Sequence, residues 1–317
     1  MATTTNLADQ IFKAGHTAVI TGASSGIGRA TAAYCASQGM NVYMADIDED
    51  DLVKAMEYVK SLQANDSGSI VEGLVTDVSD FSSVQALAEQ VLGSQSSVHF
   101  LMNNAGVGKG GGALASLDTF HHVLGVNLYG PINGCQAFLP AMKRSQEPGL
   151  IVNTGSKQGI TMPPGNLVYN ISKAALKCYT EGLEHELRSS RESNDGTASH
   201  SIYSALLVPG WTNTSIALKA MDADADKDTC FFYEDKPAAG AWMPFQVVEF
   251  MISELKKGRF YIICPDNDVD RETDNLRMEW TMQDIIQNRP PLSRWHDDYK
   301  VQFEEFVKER KSNIDDA

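Results

Sequence analysis

Short apolar, β-branched runs alternate with longer amphipathic stretches along most of this chain. Runs such as TAVIT, NVYMA and VHFLM are each followed by polar or Gly-rich residues. Apolar runs of this length, bounded by turn residues, are typical of buried strands, whereas apolar residues three and four positions apart predict helices. Their alternation predicts right-handed crossovers and a parallel sheet. We therefore expect an α/β fold with a doubly wound parallel sheet of about seven strands and helices on both faces.

The predicted elements can be placed along the chain. The predicted strands span 17–21, 41–45, 70–75, 98–102, 150–154, 202–208 and 259–264. The predicted helices span a stretch ending near Gly39, then 51–63, 81–92, 117–142, 166–189 and 244–257. Because Pro131 lacks an amide hydrogen, we expect a kink in the fourth of them just past Asn127. The loop 106–112, GVGKGGG, is expected to be mobile and to lie near the carboxyl edge of the sheet.

The domain organisation follows from the same pattern. Residues 1–265 are predicted to form one catalytic domain, interrupted only by a polar linker near 190–200. The segment near 211–240 has no regular pattern and is predicted to be irregular and flexible. Residues 266–317 are predicted to form a helical C-terminal extension, divided in two by Arg289-Pro290-Pro291.

Composition narrows the function classes. The chain has 317 residues and a formal net charge of −15, which disfavours nucleic acid and anionic membranes as partners. Its five cysteines are scattered and none lies in CxxC spacing, so we expect neither disulfides nor a zinc site, and no catalytic metal. No apolar run is long enough to cross a bilayer, and the first residues do not have the pattern of a secretory signal. We expect a cytoplasmic enzyme.

A Gly-rich turn follows the first predicted strand. Gly22, Gly26 and Gly28 lie between that strand and an Ala-rich helix. Such a turn lets the backbone approach a pyrophosphate at the amino end of the helix, although it could be only a tight connection. Asp46 ends the second strand, eighteen residues after Gly28, where an acid can bind the adenosine ribose hydroxyls and repel the 2′-phosphate of NADP. Its alternative role is in an acidic turn that caps the next helix.

A third group of residues can carry acid–base chemistry. Tyr169 and Lys173 are four residues apart on a predicted helix, so their side chains leave the same face. A nearby ammonium lowers the pKa of a phenol, which would make Tyr169 an acid or base near neutral pH. The pair could also be an exposed Tyr and Lys on an ordinary helix. Ser156 ends the preceding strand.

These residues stand in a familiar order. TGASSGIG (21–28), Asp77, NNAG (103–106), Asn127, Ser156, YNISK (169–173) and PGWTNT (209–214) together resemble the motifs of the short-chain dehydrogenases/reductases. The likeness covers roughly residues 17–264, and it implies a Rossmann-like fold. It departs from the family at Cys264-Pro265, where a glycine is usual, and in the long extension that follows. A second departure is the long segment between Thr214 and Gly240, within the region near 211–240 that the resemblance implies is a substrate lid. Aromatic residues in such a lid could cover an apolar substrate or pack beneath a loop.

The resemblance implies roles for each motif. Tyr169 would be the acid or base, Lys173 would lower its pKa and hold the nicotinamide ribose, and Ser156 would bind the substrate oxygen. Asn127 would anchor a water that links Lys173 to solvent. The implied cofactor contacts are Gly22, Ser24, Ser25, Gly26, Ile27, Gly28, Asp46, Asp77, Val78, Asn104, Ala105, Gly106, Tyr169, Lys173, Pro209, Gly210, Thr212 and Thr214. The expected substrate contacts are Ser156, Gln158, Tyr169 and Trp211.

The implied reaction is hydride transfer between NAD(H) and a secondary alcohol or ketone, with a fairly hydrophobic substrate. The extension makes a homodimer as credible as a homotetramer. Two other classes remain open, namely an epimerase or dehydratase that retains NAD and a non-catalytic NAD-binding regulatory protein. The tail also has a weaker likeness to dehydrogenases that oxidise benzylic alcohols of lignin-type aryl ethers.

The extension carries one further pattern. Trp295, Tyr299, Phe303 and Phe306 are spaced by four, four and three residues, which predicts an aromatic stripe along one helix face. Exposure of such a stripe would favour aggregation, so we expect it to be buried. Its partner could be the catalytic domain of the same chain or a second subunit.

Overall fold

The computed structural model describes residues 6–64, 68–192, 201–216 and 239–315. Its centre is a seven-stranded, fully parallel sheet in the order β3-β2-β1-β4-β5-β6-β7. The strands are β1 (Thr17–Thr21), β2 (Asn41–Asp46), β3 (Val71–Val75), β4 (Phe100–Asn103), β5 (Gly149–Thr154), β6 (Ile202–Val208) and β7 (Tyr261–Ile263). This confirms the predicted fold class and places all seven predicted strands.

Helices surround the sheet. In the first half of the chain they are α1 (Leu7–Ile11), α2 (Gly26–Ser37), α3 (Glu49–Ser61), α4 (Phe81–Ser94) and α5 (Leu117–Leu124). In the second half they are α6 (Gly130–Ser145), α7 (Gln158–Thr161), α8 (Leu167–Glu192), α9 (Pro244–Lys256), α10 (Arg271–Ile286) and α11 (Asp297–Asp315). Within the described residues, no helix is both long and apolar enough to span a membrane.

Two apolar cores lie on the two faces of the sheet. Successive residues of one strand point to opposite faces, so Ala18 and Ile20 of β1 join one core while Val19 joins the other. The first core is completed by apolar residues of α1, α2, α3 and α9. The second is completed by those of α4, α6 and α8. Both faces are therefore covered, which explains why the strands read as continuous apolar runs.

The long helix predicted over 117–142 is interrupted. A π-helical turn, Gly125–Tyr129, separates α5 from α6 and contains the fully buried Asn127. Pro131 has no amide hydrogen to donate to the carbonyl of Asn127, so the regular hydrogen-bond ladder cannot continue there. The predicted disturbance lies at the predicted place, as a widened turn.

The C-terminal extension packs on its own chain. Met278 of α10 lies against Leu206, Val208 and Ile263 of the last two strands. As predicted from the prolines, α10 ends before them and α11 begins after them.

The aromatic stripe differs in part from its prediction. Phe303 and Phe306 pack on Trp280 of α10, with ring centroids 5.4 and 5.3 Å apart. Trp295 lies in a short 3-10 turn before α11 and is 37% exposed, so it does not belong to the helix as predicted. Tyr299 is only partly buried. The acceptor of the stripe is thus the preceding helix of the extension.

Candidate active site

A cavity of about 1010 Å³ opens at the carboxyl ends of the central strands. The strand order reverses between β1 and β4, and crevices at such a switch point are where parallel α/β sheets bind ligands. Twenty of the predicted site residues line this one cavity. They are Gly22, Ser24, Ser25, Gly26, Ile27, Asp46, Asp77, Val78, Asn104, Ala105, Gly106, Ser156, Gln158, Tyr169, Lys173, Pro209, Gly210, Trp211, Thr212 and Thr214.

The Gly-rich turn forms the floor of the cavity between β1 and α2. Gly22 has φ +63°, and a Cβ there would come within 2.7 Å of the Cα of Ala105. A Cβ on Gly28 would overlap the carbonyl oxygen of Gly22. Gly28 thus lets α2 begin directly against the turn. It does not line the cavity, whereas Gly26 and Ile27 of the first turn of α2 do, and a helix N-terminus offers unpaired amide groups.

Asp46 at the end of β2 is held by local amide groups. Its Oδ2 accepts a hydrogen bond from the Ser24 amide at 3.0 Å, and its Oδ1 accepts one from the Asp48 amide at 3.3 Å. Asp48 caps α3 by accepting from the Asp51 amide at 3.1 Å. The capping role considered for Asp46 thus belongs to Asp48, and Asp46 faces the cavity with lone pairs to spare.

Asn104 ties three strands together beside the turn. Its Nδ2 donates to the carbonyl oxygens of Thr21 and Gly22 at 3.2 and 3.3 Å, and its Oδ1 accepts from Thr154 Oγ1 at 3.2 Å. Asp77 lies across the cavity, where its Oδ1 accepts from the amide and hydroxyl of Ser79. Asn104 and Asp77 both line the cavity.

Ser156 and Tyr169 meet at the opposite end of the cavity. Ser156 follows β5, and its Oγ accepts from the Gln158 amide at 3.2 Å. Tyr169, on the first turn of α8, brings its hydroxyl near Ser156. Burial raises the pKa of Tyr169, and the neighbouring Ser156 hydroxyl opposes that rise. In this geometry the direction is opposite to the lowering that we expected from Lys173.

The position of Lys173 explains this difference. Its Nζ donates to the carbonyl oxygen of Thr154 at 2.8 Å and lies 5.8 Å from the centroid of the Tyr169 ring. The side chain is buried, and burial lowers the pKa of Lys173 to about 8. The ammonium is therefore close to Tyr169 but is directed at a backbone carbonyl rather than at the phenol.

Asn127 lies behind the cavity wall. Its Oδ1 accepts from the Val107 amide at 2.8 Å, and its Nδ2 donates to the Val107 carbonyl and to Ser172 Oγ at 2.9 and 3.0 Å. The side chain thus bonds backbone of the loop 106–112. Asn166 holds the same loop at the carbonyl of Gly108 and the amide of Gly110.

Sequence reasoning missed several residues of the cavity. The missed lining residues are Ile47, Asp48, Asp51, Thr76, Val107, Gly108, His122, Val126, Thr154, Gly155, Lys157, Asn166, Ser215 and Ile216. Most adjoin predicted residues and could have been found as neighbours of the motifs. Lys157 is different, because its Nζ lies 2.6 Å from Asp274 Oδ2 and 3.3 Å from Asp266 Oδ2, both far along the chain.

The predicted lid can be described only at its two ends. Residues 211–216 and 239–240 belong to the described part, and Thr212 pairs with Trp242 in an isolated parallel bridge. Met221, Phe231, Phe232 and Tyr233 lie outside the described residues, as does the linker 193–200.

The cavity fits a nicotinamide dinucleotide. It runs from Asp46, which could bind ribose hydroxyls, along the amide groups at the start of α2, which could bind phosphate, to Tyr169 and Lys173. The turn at Gly22 leaves backbone rather than side chains beside this path. Among the described residues, no group of three or more His, Cys, Asp or Glu could hold a metal ion.

Comparisons with known proteins agree with this geometry. A sequence model described as short chain dehydrogenase matches residues 16–224. Oxidoreductase SadH of Mycobacterium tuberculosis is 31% identical over 78% of this chain and 86% of its own length. The 1-deoxy-11-beta-hydroxypentalenate dehydrogenase of Streptomyces avermitilis is 30% identical over 83% of this chain and 90% of its own length. A short chain dehydrogenase/reductase of Burkholderia phymatum, solved in complex with NAD, is 33% identical over 89% and 97% of the two chains, with a TM-score of 0.73.

Proposed function

The chain belongs to the short-chain dehydrogenase/reductase family, and from this premise we propose that it transfers a hydride between NAD(H) and a secondary alcohol or ketone. One observation carries the proposal. The Tyr169 hydroxyl lies near Ser156 and near the buried Lys173, in a cavity that also contains the Gly-rich turn. An acid–base hydroxyl, a hydrogen-bonding partner for an oxygen and a cation are the groups that this reaction requires.

Each residue has a defined share in the proposed mechanism. A nicotinamide cofactor, when bound, supplies or accepts the hydride. Tyr169 moves the proton, giving it to the substrate oxygen in reduction and taking it in oxidation. Ser156 holds the substrate oxygen beside Tyr169. Lys173 places a positive charge near the phenol, and such a charge favours the deprotonated form of Tyr169 and acts against the effect of burial.

We propose NAD rather than NADP as the cofactor. In the proposed mode of binding, the carboxylate of Asp46 would lie beside the 2′-phosphate of NADP, and two neighbouring negative charges repel. The lysines that line the cavity, Lys157 and Lys173, belong to the turn after β5 and to α8. They are therefore far from β2 in the sheet order, and they cannot neutralise a phosphate beside Asp46.

We propose that the substrate is neutral and largely apolar. Trp211, Val107 and Ile216 are apolar residues that line the cavity. The ammonium of Lys157 is already paired with two carboxylates, so it offers little attraction to an anionic substrate. We further expect a cytoplasmic homodimer or homotetramer, which light scattering on the purified protein would distinguish.

A panel of secondary alcohols and ketones tests the reaction. Each compound is mixed with NAD or NADH, and the change in NADH absorbance is compared with the amount of product formed. We expect stoichiometric NADH consumption with at least one neutral apolar ketone. Product that forms without net NADH turnover would instead indicate an enzyme that retains its cofactor, and binding of NADH with no product from any compound would indicate a regulatory protein.

A further inference from the structure

Lys157 joins the turn that carries Ser156 to the C-terminal extension. Its Nζ lies 2.6 Å from Asp274 Oδ2 and 3.3 Å from Asp266 Oδ2. Asp274 belongs to the first turn of α10, whereas Asp266 follows β7, 109 residues after Lys157. The three side chains are 19%, 6% and 7% exposed, so the cluster is largely shielded from water.

The backbone of Lys157 belongs to the catalytic turn. Its carbonyl oxygen accepts from the amides of Ile160 and Thr161, which makes it the start of α7. The next amide, that of Gln158, donates to Ser156 Oγ at 3.2 Å. A displacement of Lys157 would therefore move the hydrogen-bonding partner of Ser156 as well.

Asp266 connects the cluster to a third segment. Its Oδ2 also accepts from the Trp211 amide at 3.1 Å, and its Oδ1 accepts from the amides of Asp268 and Val269. The loop after β6, which contributes Pro209 and Thr212 to the cavity wall, is thereby fixed to the start of the extension. The turn after β5, the loop after β6 and the C-terminal extension are therefore joined through Lys157 and Asp266.

Stability alone is a weak explanation for this arrangement. The cost of removing charges from water offsets most of the attraction in a buried ion pair, and apolar residues often serve as well. Charged hydrogen bonds are directional, however, and can hold several segments in one geometry. Packing between α10 and the sheet is already provided by Met278.

We propose that Lys157 is a positioning residue: through Asp266 and Asp274 it fixes the turn that carries Ser156, which makes the C-terminal extension part of the catalytic unit. This inference rests on the proposed function, because Ser156 acts on a substrate oxygen only in that reaction.

A double-mutant cycle tests the coupling. Ser156→Ala, Lys157→Met and the double variant are compared with wild type, with NADH and the ketone of highest kcat/KM in the panel. We expect Lys157→Met to lower kcat about 10- to 100-fold when Ser156 is present, but less than about threefold in the Ser156→Ala background, because Lys157 acts through Ser156. The Kd of NADH, measured by fluorescence, should change less than about threefold.

Two further variants separate positioning from general destabilisation. Lys157→Arg keeps the positive charge and should restore kcat to within about threefold of wild type. Arg310→Met breaks the outer ion pair with Glu279, whose atoms are 2.7 Å apart, and should leave kcat within about twofold. If Lys157→Met does not fold, Asp274→Asn replaces it in the cycle under the same criteria.

The possible failures are distinguishable. Wild-type kcat in Ser156→Ala would contradict the proposed function itself. Loss of kcat in Ser156→Ala, together with an equal effect of Lys157→Met in both backgrounds or no effect in either, would overturn the positioning role alone.

Discussion

The two ends of the cavity are built in different ways. At the end near β2, Asp46 is held by the amides of Ser24 and Asp48, which are close neighbours in sequence or in the adjacent turn. At the end near β5, Lys157 is held by Asp266 and Asp274 of the C-terminal extension. The first end depends on local turn geometry, whereas the second depends on the folded position of the whole chain.

This difference has a functional consequence. Substitutions at the β2 end should alter which cofactor binds and how tightly, with little effect on the proton transfer. Substitutions at the β5 end should alter turnover, since Ser156, Tyr169 and Lys173 are all placed there. The following predictions separate the two ends, and their expected effects decrease in order.

The largest effect is expected for Tyr169→Phe, which removes only the hydroxyl. Loss of a general acid or base lowers turnover by about 10²- to 10⁴-fold, so kcat should fall by that amount. The Kd of NADH should stay within about threefold, because the ring remains. Steady-state assays and fluorescence titration measure the two quantities. Tyr129, which is 55% exposed, provides the control: Tyr129→Phe should behave like wild type. Turnover near the wild-type value in Tyr169→Phe would remove this residue from the mechanism.

A smaller loss is expected for Lys173→Met, but it should extend to cofactor binding. If Lys173 acts on the phenol and also holds the nicotinamide ribose, as the family resemblance implies, kcat should fall about 10- to 100-fold and the Kd of NADH should rise about tenfold. Lys177→Met is the matched control, because Lys177 lies one turn further along α8 and pairs with Glu181 at the surface. An unchanged Kd with a lowered kcat would restrict Lys173 to the proton transfer.

The pH dependence of kcat for alcohol oxidation should reflect the protonation of both Tyr169 and Lys173. Burial lowers the pKa of Lys173 to about 8, so its positive charge is lost as the pH rises above that value. Oxidation needs deprotonated Tyr169, and its kcat should rise with pH while Lys173 is charged. We expect the rise to level off as Lys173 is neutralised. A kcat that climbs without levelling to about pH 10 would show that the charge of Lys173 does not support Tyr169.

The sheet and the β2 end of the cavity were predictable because their signals are local. A strand covered on both faces reads as an apolar run, and a Gly-rich turn is recognisable within a few residues. The boundaries were predicted less closely: the last strand was predicted over 259–264 and spans Tyr261–Ile263. Pro131 predicted a disturbance of the helix near Asn127, but that the disturbance is a π-helical turn depends on the packing around Asn127.

The β5 end was predictable only in part. Ser156, Tyr169 and Lys173 belong to one stretch of sequence, whereas the partners of Lys157 lie 109 residues away or further. The lysine that follows Ser156 has the pattern of an exposed polar residue unless its partners are known. The acidic residues that follow the last strand were the available signal, but charge alone does not say which lysine they meet. The pKa of Tyr169 was misjudged for a related reason, because burial depends on the assembled cavity.

The next largest effect is expected on the preference for NADH over NADPH. Asp46→Asn removes the negative charge but keeps an oxygen that can accept from the Ser24 amide, so the turn should survive. The ratio of kcat/KM for NADH to that for NADPH should fall about tenfold, because repulsion of the 2′-phosphate is lost. Asp50→Asn, at an exposed position of α3, should leave the ratio unchanged. A wild-type preference for NADPH would contradict the role given to Asp46.

The smallest effect is expected at the amino ends of the central strands β1 and β4, which belong to neither end of the cavity. The ring of His99, just before β4, stacks on His16 with centroids 3.6 Å apart, and its Nδ1 accepts from the Thr17 amide at 3.1 Å. Burial lowers the pKa of His99 to about 4, with a further contribution from His16. The unfolded chain therefore binds more protons between pH 6.5 and 4, so this contribution to stability is present above pH 6.5 and is lost as the pH falls.

The measurement is the Tm at pH 7.5 and at pH 5. We expect His99 to account for a loss on the order of 1 kcal/mol, or about 2 °C in a chain of this size. His99→Gln keeps an acceptor for the Thr17 amide but removes the group that takes up a proton. The fall in its Tm between pH 7.5 and pH 5 should therefore be about 2 °C smaller than that of wild type. His185→Gln, at an exposed position of α8, should show the pH dependence of wild type. If the Tm of His99→Gln depends on pH as much as that of wild type, the acid sensitivity of the fold arises elsewhere. The His16–His99 stack then does not contribute to the pH dependence of stability.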